Sequence, residues 1–484
     1  MNLKNVFKYS LLASVLNVSI VAGISPAAAL VDDCGQSACE NSWLGLTEQQ
    51  KQDVFAFGTD YKAFMDQART EITGVAEAVK QAQAKGFKAY NLGDDVAVGG
   101  AYYYVNRDRS VVLFRVGEKP LREGGRVTAS HIDSPRLELK GRPLYEREGF
   151  ALFQTNYHGG LKRYQWESLP LGLVGHVDKR DGTRVDIRVG FDESDPIFII
   201  PGLSPHVDGT LRNRKNRDVL AAEEMDPVIA SMPEGDKKIS DVVMGYLTAT
   251  YGFEKADFVS AELAIVPALK PRDIGFDRAL TGANGQDDRL ASFSTLRAII
   301  DFDGTPEYTS MVHLVDNEET GNNNNTGASS NDFFDFFEAV LYAQEGDDYA
   351  TPVLNAALRK TKVISIDVNP GINPLWPGVW EKGNAPKLGY GVNLKLYGRG
   401  FNANSEFIAW TRKTLDDAGV PWQTATYKVG GGGGGTVGRE YARRNMEVID
   451  FGVPLFSIHN TYAVSSKVDV WNLYRATKAF FAAD

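Results

Sequence analysis

The sequence predicts an α/β protein: a mostly parallel sheet sandwiched by helices, with a β-rich domain inserted into it. Short runs rich in branched apolar residues, at 127–132, 311–315, 362–366 and 448–458, alternate with amphipathic helical segments. That alternation is the pattern of a parallel sheet covered on both faces. The stretch 144–277 breaks it. There, period-two alternation (Arg184-Val-Asp-Ile-Arg-Val), Gly and Pro punctuation and a polar run at 212–218 read as a β-rich insertion.

From the beginning of the chain, Lys4 and Lys8 precede an apolar stretch at 11–24, and Ala27-Ala28-Ala29 follows. This reads as a signal peptide over 1–29, so the protein is expected to be exported, periplasmic or secreted. The apolar stretch is short for a membrane span. Cys34 and Cys39 are the only cysteines, and in an exported chain their spacing suggests a small local disulfide. Helical patterning covers 48–83, then 289–302 with Leu290, Phe293, Leu296 and Ile300 on one face, then 331–342, 405–417 and 468–482. The expected organisation is a discontinuous catalytic domain, 30–143 with 278–484, and an inserted domain, 144–277.

At 484 residues, 43% hydrophobic and 24% charged, the chain is an ordinary globular protein long enough for one large core or two. Its formal charge is −10, and removing 1–29, which holds two lysines and no acids, makes it −12. An acidic surface disfavours nucleic acid and anionic membrane as partners. The basic run from Arg212 to Arg217 reads as a solvated loop.

Chemistry-bearing residues gather where the apolar runs end. In a parallel sheet, ligands bind at the carboxyl ends of strands, which is the expected place of His131, Glu318, Glu319, Asp367 and His459. Asp133 follows His131 by two positions and so shares its strand face, where a carboxylate can orient an imidazole toward a metal. Glu318 and Glu319 are adjacent: one can reach metal while the other accepts a proton from water. Asp287 opens a helical segment and can bridge two cations, with Arg289 nearby to hold the adjacent carboxylate. A helix N-cap is the other reading of that position and is compatible with metal binding. The run Gly430 to Gly435 lets backbone approach a substrate closely, or serves as a linker. His158, His176, His206 and His313 have no comparable surroundings and read as structural or exposed. Two divalent ions held by His and carboxylate are the reading that uses all of these residues.

In order along the chain stand His131-Ile-Asp-Ser-Pro-Arg-Leu, Pro143-Leu-Tyr-Glu, Asp287-Asp-Arg, Asp316-Asn-Glu-Glu-Thr-Gly, Ser365-Ile-Asp-Val-Asn, Ala385-Pro-Lys-Leu-Gly and Ser457-Ile-His. Together they closely resemble the aspartyl aminopeptidase and yeast-type aminopeptidase I family of dinuclear zinc exopeptidases. The resemblance runs from about residue 46 to the C-terminus. It implies a zinc exopeptidase-like fold, a metal-dependent aminopeptidase and peptide substrates. It implies His131, Glu319, Asp367 and His459 as metal ligands, Asp287 as the bridging carboxylate, Glu318 as the general base and Asp133 as the acid behind the first histidine. Lys395 matches a basic residue near the substrate side-chain pocket. The inserted domain resembles the family's dimerisation domain, which implies a homo-oligomer built from dimers, up to a tetrahedral dodecamer. The ions are expected to be Zn²⁺, although the ligand set also suits Co²⁺ or Mn²⁺.

The chain departs from the acidic-residue-specific members of that family. Their histidine after a glycine triplet has no clean match in Tyr157-His158-Gly159-Gly160-Leu-Lys162, and Pro370 stands where relatives often have His. The preference for N-terminal Asp or Glu therefore does not carry over. Two other readings use the same residues: a dinuclear carboxypeptidase or deacylase, and an inactive scaffold of the same fold.

Overall fold

The computed structural model describes residues 40–397, 402–429, 431 and 433–484. The expected signal peptide and both cysteines lie outside the described residues. At the centre is a nine-stranded sheet whose order is Lys88–Ala89, Ala101–Asn106, Ser110–Arg115, Ser310–Val315, Arg126–His131, Lys362–Ile366, Glu447–Gly452, Val392–Lys395 and Trp422–Thr424. Five of its eight pairings are parallel, including those that join the four central strands.

These strands are apolar at successive positions because both faces are covered. Val312, Leu314, Ile364, Ile366, Ile449 and Phe451 enter one core. Met311, Val315, Val363, Val448 and Val127 enter the core on the opposite face, as the two-residue repeat of a strand requires. The first core is roofed by helices Glu48–Gln67, Gln286–Ile300 and Lys467–Ala482. In it the ring of Phe293 lies 5.0, 5.3 and 5.4 Å from those of Phe57, Tyr61 and Phe64. The second is roofed by Asp332–Glu345, Thr351–Lys360 and Gly438–Ala442.

Two expected elements divide. The helix expected over 48–83 is two, Glu48–Gln67 and Glu71–Ala84. Thr70 caps the second by accepting from the Thr73 N–H, while buried Arg69 bonds the carbonyls of Asp66 and Leu269 at 3.0 and 3.1 Å. A cap and a buried guanidinium outweigh the continuous helical spacing. The run 448–458 also splits. Glu447–Gly452 stays in the large sheet, while Pro454–Phe456 joins a five-stranded sheet with Arg272–Ile274, Leu280–Ala283, Ala463–Ser466 and Asn369–Pro370. Pro454 has no N–H to continue the ladder.

Most of the segment expected as the β-rich insertion, 144–277, belongs to a separate antiparallel sheet of six strands, ordered Arg184–Val189, Leu171–Asp178, Ala261–Pro267, Arg136–Arg147, Phe150–His158 and Val228–Ala230; the strand Arg136–Arg147 begins before that range, and Arg272–Ile274 within it goes to the five-stranded sheet. The six-stranded sheet has its own core, centred on Leu137, Phe153, Trp166, Leu173, Phe258 and Leu263, and packs a helix that periodicity did not anticipate, Ile239–Tyr251. Arg136 pairs with His158 in register. The hairpin therefore leaves the loop after His131 and returns to it.

His313 lies buried in the strand Ser310–Val315, stacked on Phe333 at 4.9 Å, with Nδ1 2.6 Å from the Tyr441 hydroxyl. Burial pushes its pKa down to about 3. A folded-state pKa below the unfolded value gives stability that is complete above about pH 6.5 and lost as pH falls toward 3. The unfolding free energy of the wild type relative to His313→Phe should therefore fall by about 1.4 kcal/mol per pH unit between pH 6 and 4. A difference independent of pH in denaturant titrations would refute this.

Candidate metal centre

Three neighbouring parallel strands deliver most of the site from their carboxyl ends. Arg126–His131 ends on His131 itself; Ser310–Val315 leads through Asp316 and Asn317 into the tight turn Glu318–Thr320; Lys362–Ile366 is followed by Asp367. Asn317 takes a left-handed conformation (φ 62°) and Asp316 anchors the turn, accepting from the Asn317 N–H and the Thr326 hydroxyl, each at 2.8 Å. His459, also left-handed (φ 58°), follows the strand Pro454–Phe456. Asp287 and Asp288 stand at the mouth of Gln286–Ile300 with non-helical backbone angles. Gln286 pins this turn, accepting from the Tyr61 hydroxyl at 2.9 Å and donating to the Ala463 carbonyl at 2.6 Å.

The two oxygens of Asp287 face two different imidazoles. Oδ1 lies 3.2 Å from His131 Nε2 and Oδ2 lies 3.1 Å from His459 Nε2. Glu319 Oε1 is 3.3 Å from His459 Nε2, while Asp367 Oδ1 and Glu318 Oε2 are 3.9 and 4.0 Å from His131 Nε2. Ligand atoms on a tetrahedral zinc with arms of ~2.0–2.1 Å are separated by roughly 3.3 Å, so these spacings suit a cation on either side of Asp287. Glu319 Oε1 is buried with no hydrogen-bond partner, an arrangement that a bound cation would satisfy. Asp288 was not nominated from sequence. It is fully buried, neither of its oxygens has a hydrogen-bond partner, and its carboxylate lies within 4.8 Å of the donor atoms of His131 and Asp367.

The electrostatics favour cations as well. Burial pushes the carboxyls of Glu319 and Asp288 well up, that of Asp367 to about 6 and that of Glu318 to about 8; the Glu318 shift is increased by the charges of Asp367 and Asp287. Crowded, buried acids disfavour one another's charged forms, and divalent ions would remove that penalty. Lys395 Nζ lies 4.0 Å from Asp367 Oδ2 and donates to the Val368 carbonyl at 3.3 Å. It lines a cleft of about 1060 Å³ that also receives Asp287, Glu318, Glu319, Asp367, His459, Pro370 and the backbone of Gly433, Gly434 and Gly435. Gly430 and Gly432 lie outside the described residues.

Asp133 lies fully buried behind His131, whose Nδ1 donates to the Asp133 carbonyl at 3.0 Å and lies 3.2 Å from Asp133 Oδ1. The N–H groups of Glu318 and Glu319 donate to Oδ1 and Oδ2 respectively, each at 3.2 Å. Burial alone would raise this carboxyl, but hydrogen bonds from His131 and His158 hold it well below the usual range. His158 was expected to be structural or exposed. Instead its Nε2 lies 2.8 Å from Asp133 Oδ2 and its Nδ1 lies 3.2 Å from Glu138 Oε1. Burial lowers its pKa, and these two carboxylates more than reverse that, to about 9. No local signal marked His158, because Asp133 is 25 positions away and reached only through the returning hairpin. His176 is buried 3.4 Å from Asp178, and His206 is exposed. Arg289 does not hold the acids beside it; its guanidinium donates to the carbonyls of Arg69 and Asn284.

The family model of the aminopeptidase I zinc metalloproteases (M18) matches residues 64–481. This chain belongs to the M18 family. A probable M18 family aminopeptidase 1 of Borrelia garinii is 37% identical over 453 residues, 91% of this chain and 99% of the relative. The crystal structure of the M18 aminopeptidase of Thermotoga maritima superposes with a TM-score of 0.87 at 37% identity, covering 92% of this chain and 99% of the other. A more distant structure, the S. cerevesiae mApe1 dodecamer, shares the fold at 20% identity and a TM-score of 0.72, with 87% of this chain and 95% of the other covered.

In this M18 chain Asp287 reaches toward both histidines, whereas His459 approaches only one side. Asp287→Asn should therefore lower total zinc content more than His459→Ala when both are dialysed against the same zinc buffer and measured by elemental analysis. Full occupancy in Asp287→Asn would refute the bridging role.

Proposed function

We propose that this M18 aminopeptidase holds two divalent ions, Zn²⁺ in the native protein, and releases N-terminal residues from peptides by hydrolysis. The observation that carries the reading is the divided carboxylate of Asp287, one oxygen toward His131 and the other toward His459. His131 and Asp367 would hold one ion, His459 and Glu319 the other, and Asp287 both. When bound, the ions supply Lewis-acid polarisation of the peptide carbonyl and make water a stronger acid.

The remaining work falls to the protein's own groups. Glu318 takes the proton from the attacking water and returns it to the departing amine. Its carboxyl, raised to about 8 by burial and the neighbouring acids, is suited to hold and release a proton near neutrality. Asp133 keeps His131 in one orientation and ties down the Glu318 turn through backbone N–H groups. Lys395 stands in the cleft wall where the side chain of the N-terminal residue would lie. The excess of carboxylates in the cleft supports recognition of the free N-terminal amine.

The same proposal extends to the whole protein. Residues 1–29 direct export and are removed in the process. Residues 144–277 form the inserted domain through which subunits pair, and the working form is a homo-oligomer. The mApe1 dodecamer supports the last point through shared fold alone.

Glu318→Gln should leave zinc content unchanged and lower kcat by at least ~10²-fold, the low end for loss of a general base. Retained turnover would remove Glu318 from that role. Dipeptides and aminoacyl-anilides with acidic or neutral N-terminal residues should be cleaved, and their N-acetylated forms should not. Cleavage of the acetylated forms would favour a deacylase or carboxypeptidase instead.

A further inference from the structure

The strand Phe150–His158 belongs to the six-stranded sheet, yet its end meets the metal centre at three points. His158 Nε2 lies 2.8 Å from Asp133 Oδ2, whose other oxygen lies 3.2 Å from His131 Nδ1. Gly159, with φ +74°, passes so close to Glu319 that a Cβ there would come within 3.0 Å of Glu319 Oε2. The carbonyl of Gly160 accepts from His459 Nδ1 at 2.9 Å. His158 is anchored from behind: its Nδ1 lies 3.2 Å from Glu138 Oε1, which also accepts from Arg136 at 2.9 Å, and Arg136 pairs with Glu71 at 2.8 Å. Of these four side chains, those of His158, Arg136 and Glu71 are largely buried, and that of Glu138 is partly exposed.

We propose that His158 is a positioning residue for the metal centre, and that segment 158–160, the end of a strand of the six-stranded sheet and the two glycines after it, sets the orientation of both imidazole ligands at once. The inference rests on the two-ion reading above. An imidazole that binds metal through one nitrogen is oriented by the partner on its other nitrogen. For His131 that partner is Asp133, whose carbonyl lies 3.0 Å and whose Oδ1 lies 3.2 Å from Nδ1, and the carboxylate is aimed by His158. For His459 it is the Gly160 carbonyl. One strand end thus serves both ions, and the sheet assigned to subunit pairing becomes part of the catalytic framework.

Substitutions at His158 separate this role from simple space filling. In His158→Gln an amide N–H extends about as far as Nε2 and meets Asp133. In His158→Asn the amide is shorter and reaches only the Nδ1 position beside Glu138. Zinc affinity of the full-length protein, measured by competition with a chromophoric chelator, should be 10–100-fold weaker for Asn than for wild type, the usual cost of losing an orienting partner. Gln should restore most of that affinity. On an aminoacyl-anilide at saturating zinc, Asn should lower kcat with little change in KM, since the Glu318 turn hangs on the same carboxylate. Equal zinc affinities for Gln and Asn, in a wild type that binds zinc, would overturn the inference alone. A wild type that binds no zinc would overturn the two-ion reading and this inference with it.

Discussion

One buried carboxylate organises the catalytic end of this protein. Asp287 presents one oxygen to His131 and the other to His459, and so ties together two structural units. His131 ends a strand of the nine-stranded sheet; His459 follows a strand of the five-stranded sheet. A carboxylate between two imidazoles is stable only in a narrow geometry, because each oxygen must satisfy its own partner. That is why the turn before Asp287 is held from three sides, by Tyr61, by the Ala463 carbonyl and by the Ser134 hydroxyl on the Asp287 carbonyl.

The cost of such a site is electrostatic. Asp287, Asp288, Glu318, Glu319 and Asp367 converge at the floor of the cleft, largely buried, with Lys395 4.0 Å from Asp367. Burial and mutual repulsion raise four of these carboxyls, whereas Asp287, flanked by two imidazoles, is held low despite its burial. The distribution is what the proposed two-ion reading calls for: Asp287, between two imidazoles, stays an anion, and Glu318, raised to about 8, can exchange a proton near neutrality. The apolar strands beneath hold these groups in place: helices pack both sheet faces, so the strand ends that carry the acids have little freedom to relax apart.

Much of this architecture can be read in the amino-acid order, because its signals are local. Runs such as 311–315 and 362–366 identify buried parallel strands by composition alone, and the strand ends then locate His131, Glu318, Glu319 and Asp367 before any packing is considered. The helix bounds at 405–417 need no correction. Signals failed where a tertiary contact outweighed periodicity. Arg69, drawn to carbonyls of the six-stranded sheet's last strand and the loop beyond it, ends the first helix early, and Pro454 moves half of an apparently continuous strand into another sheet.

The sequence by itself determined the α/β class, the placing of His131, Glu318, Glu319 and Asp367 at strand ends and the adjacency of the two glutamates, because apolar runs, helical spacing and neighbouring positions are all local signals. Only the tertiary structure decided which nitrogen faces which oxygen, that Asp288 lies bare beside His131 and Asp367, and that His158 and Gly160 return from a second sheet to support both imidazoles. Those contacts join residues separated by 25 to 299 positions. Pairs so far apart leave no periodicity in the chain; they exist only once the hairpin between Arg136 and His158 has closed and the packed sheets have fixed where its end lies.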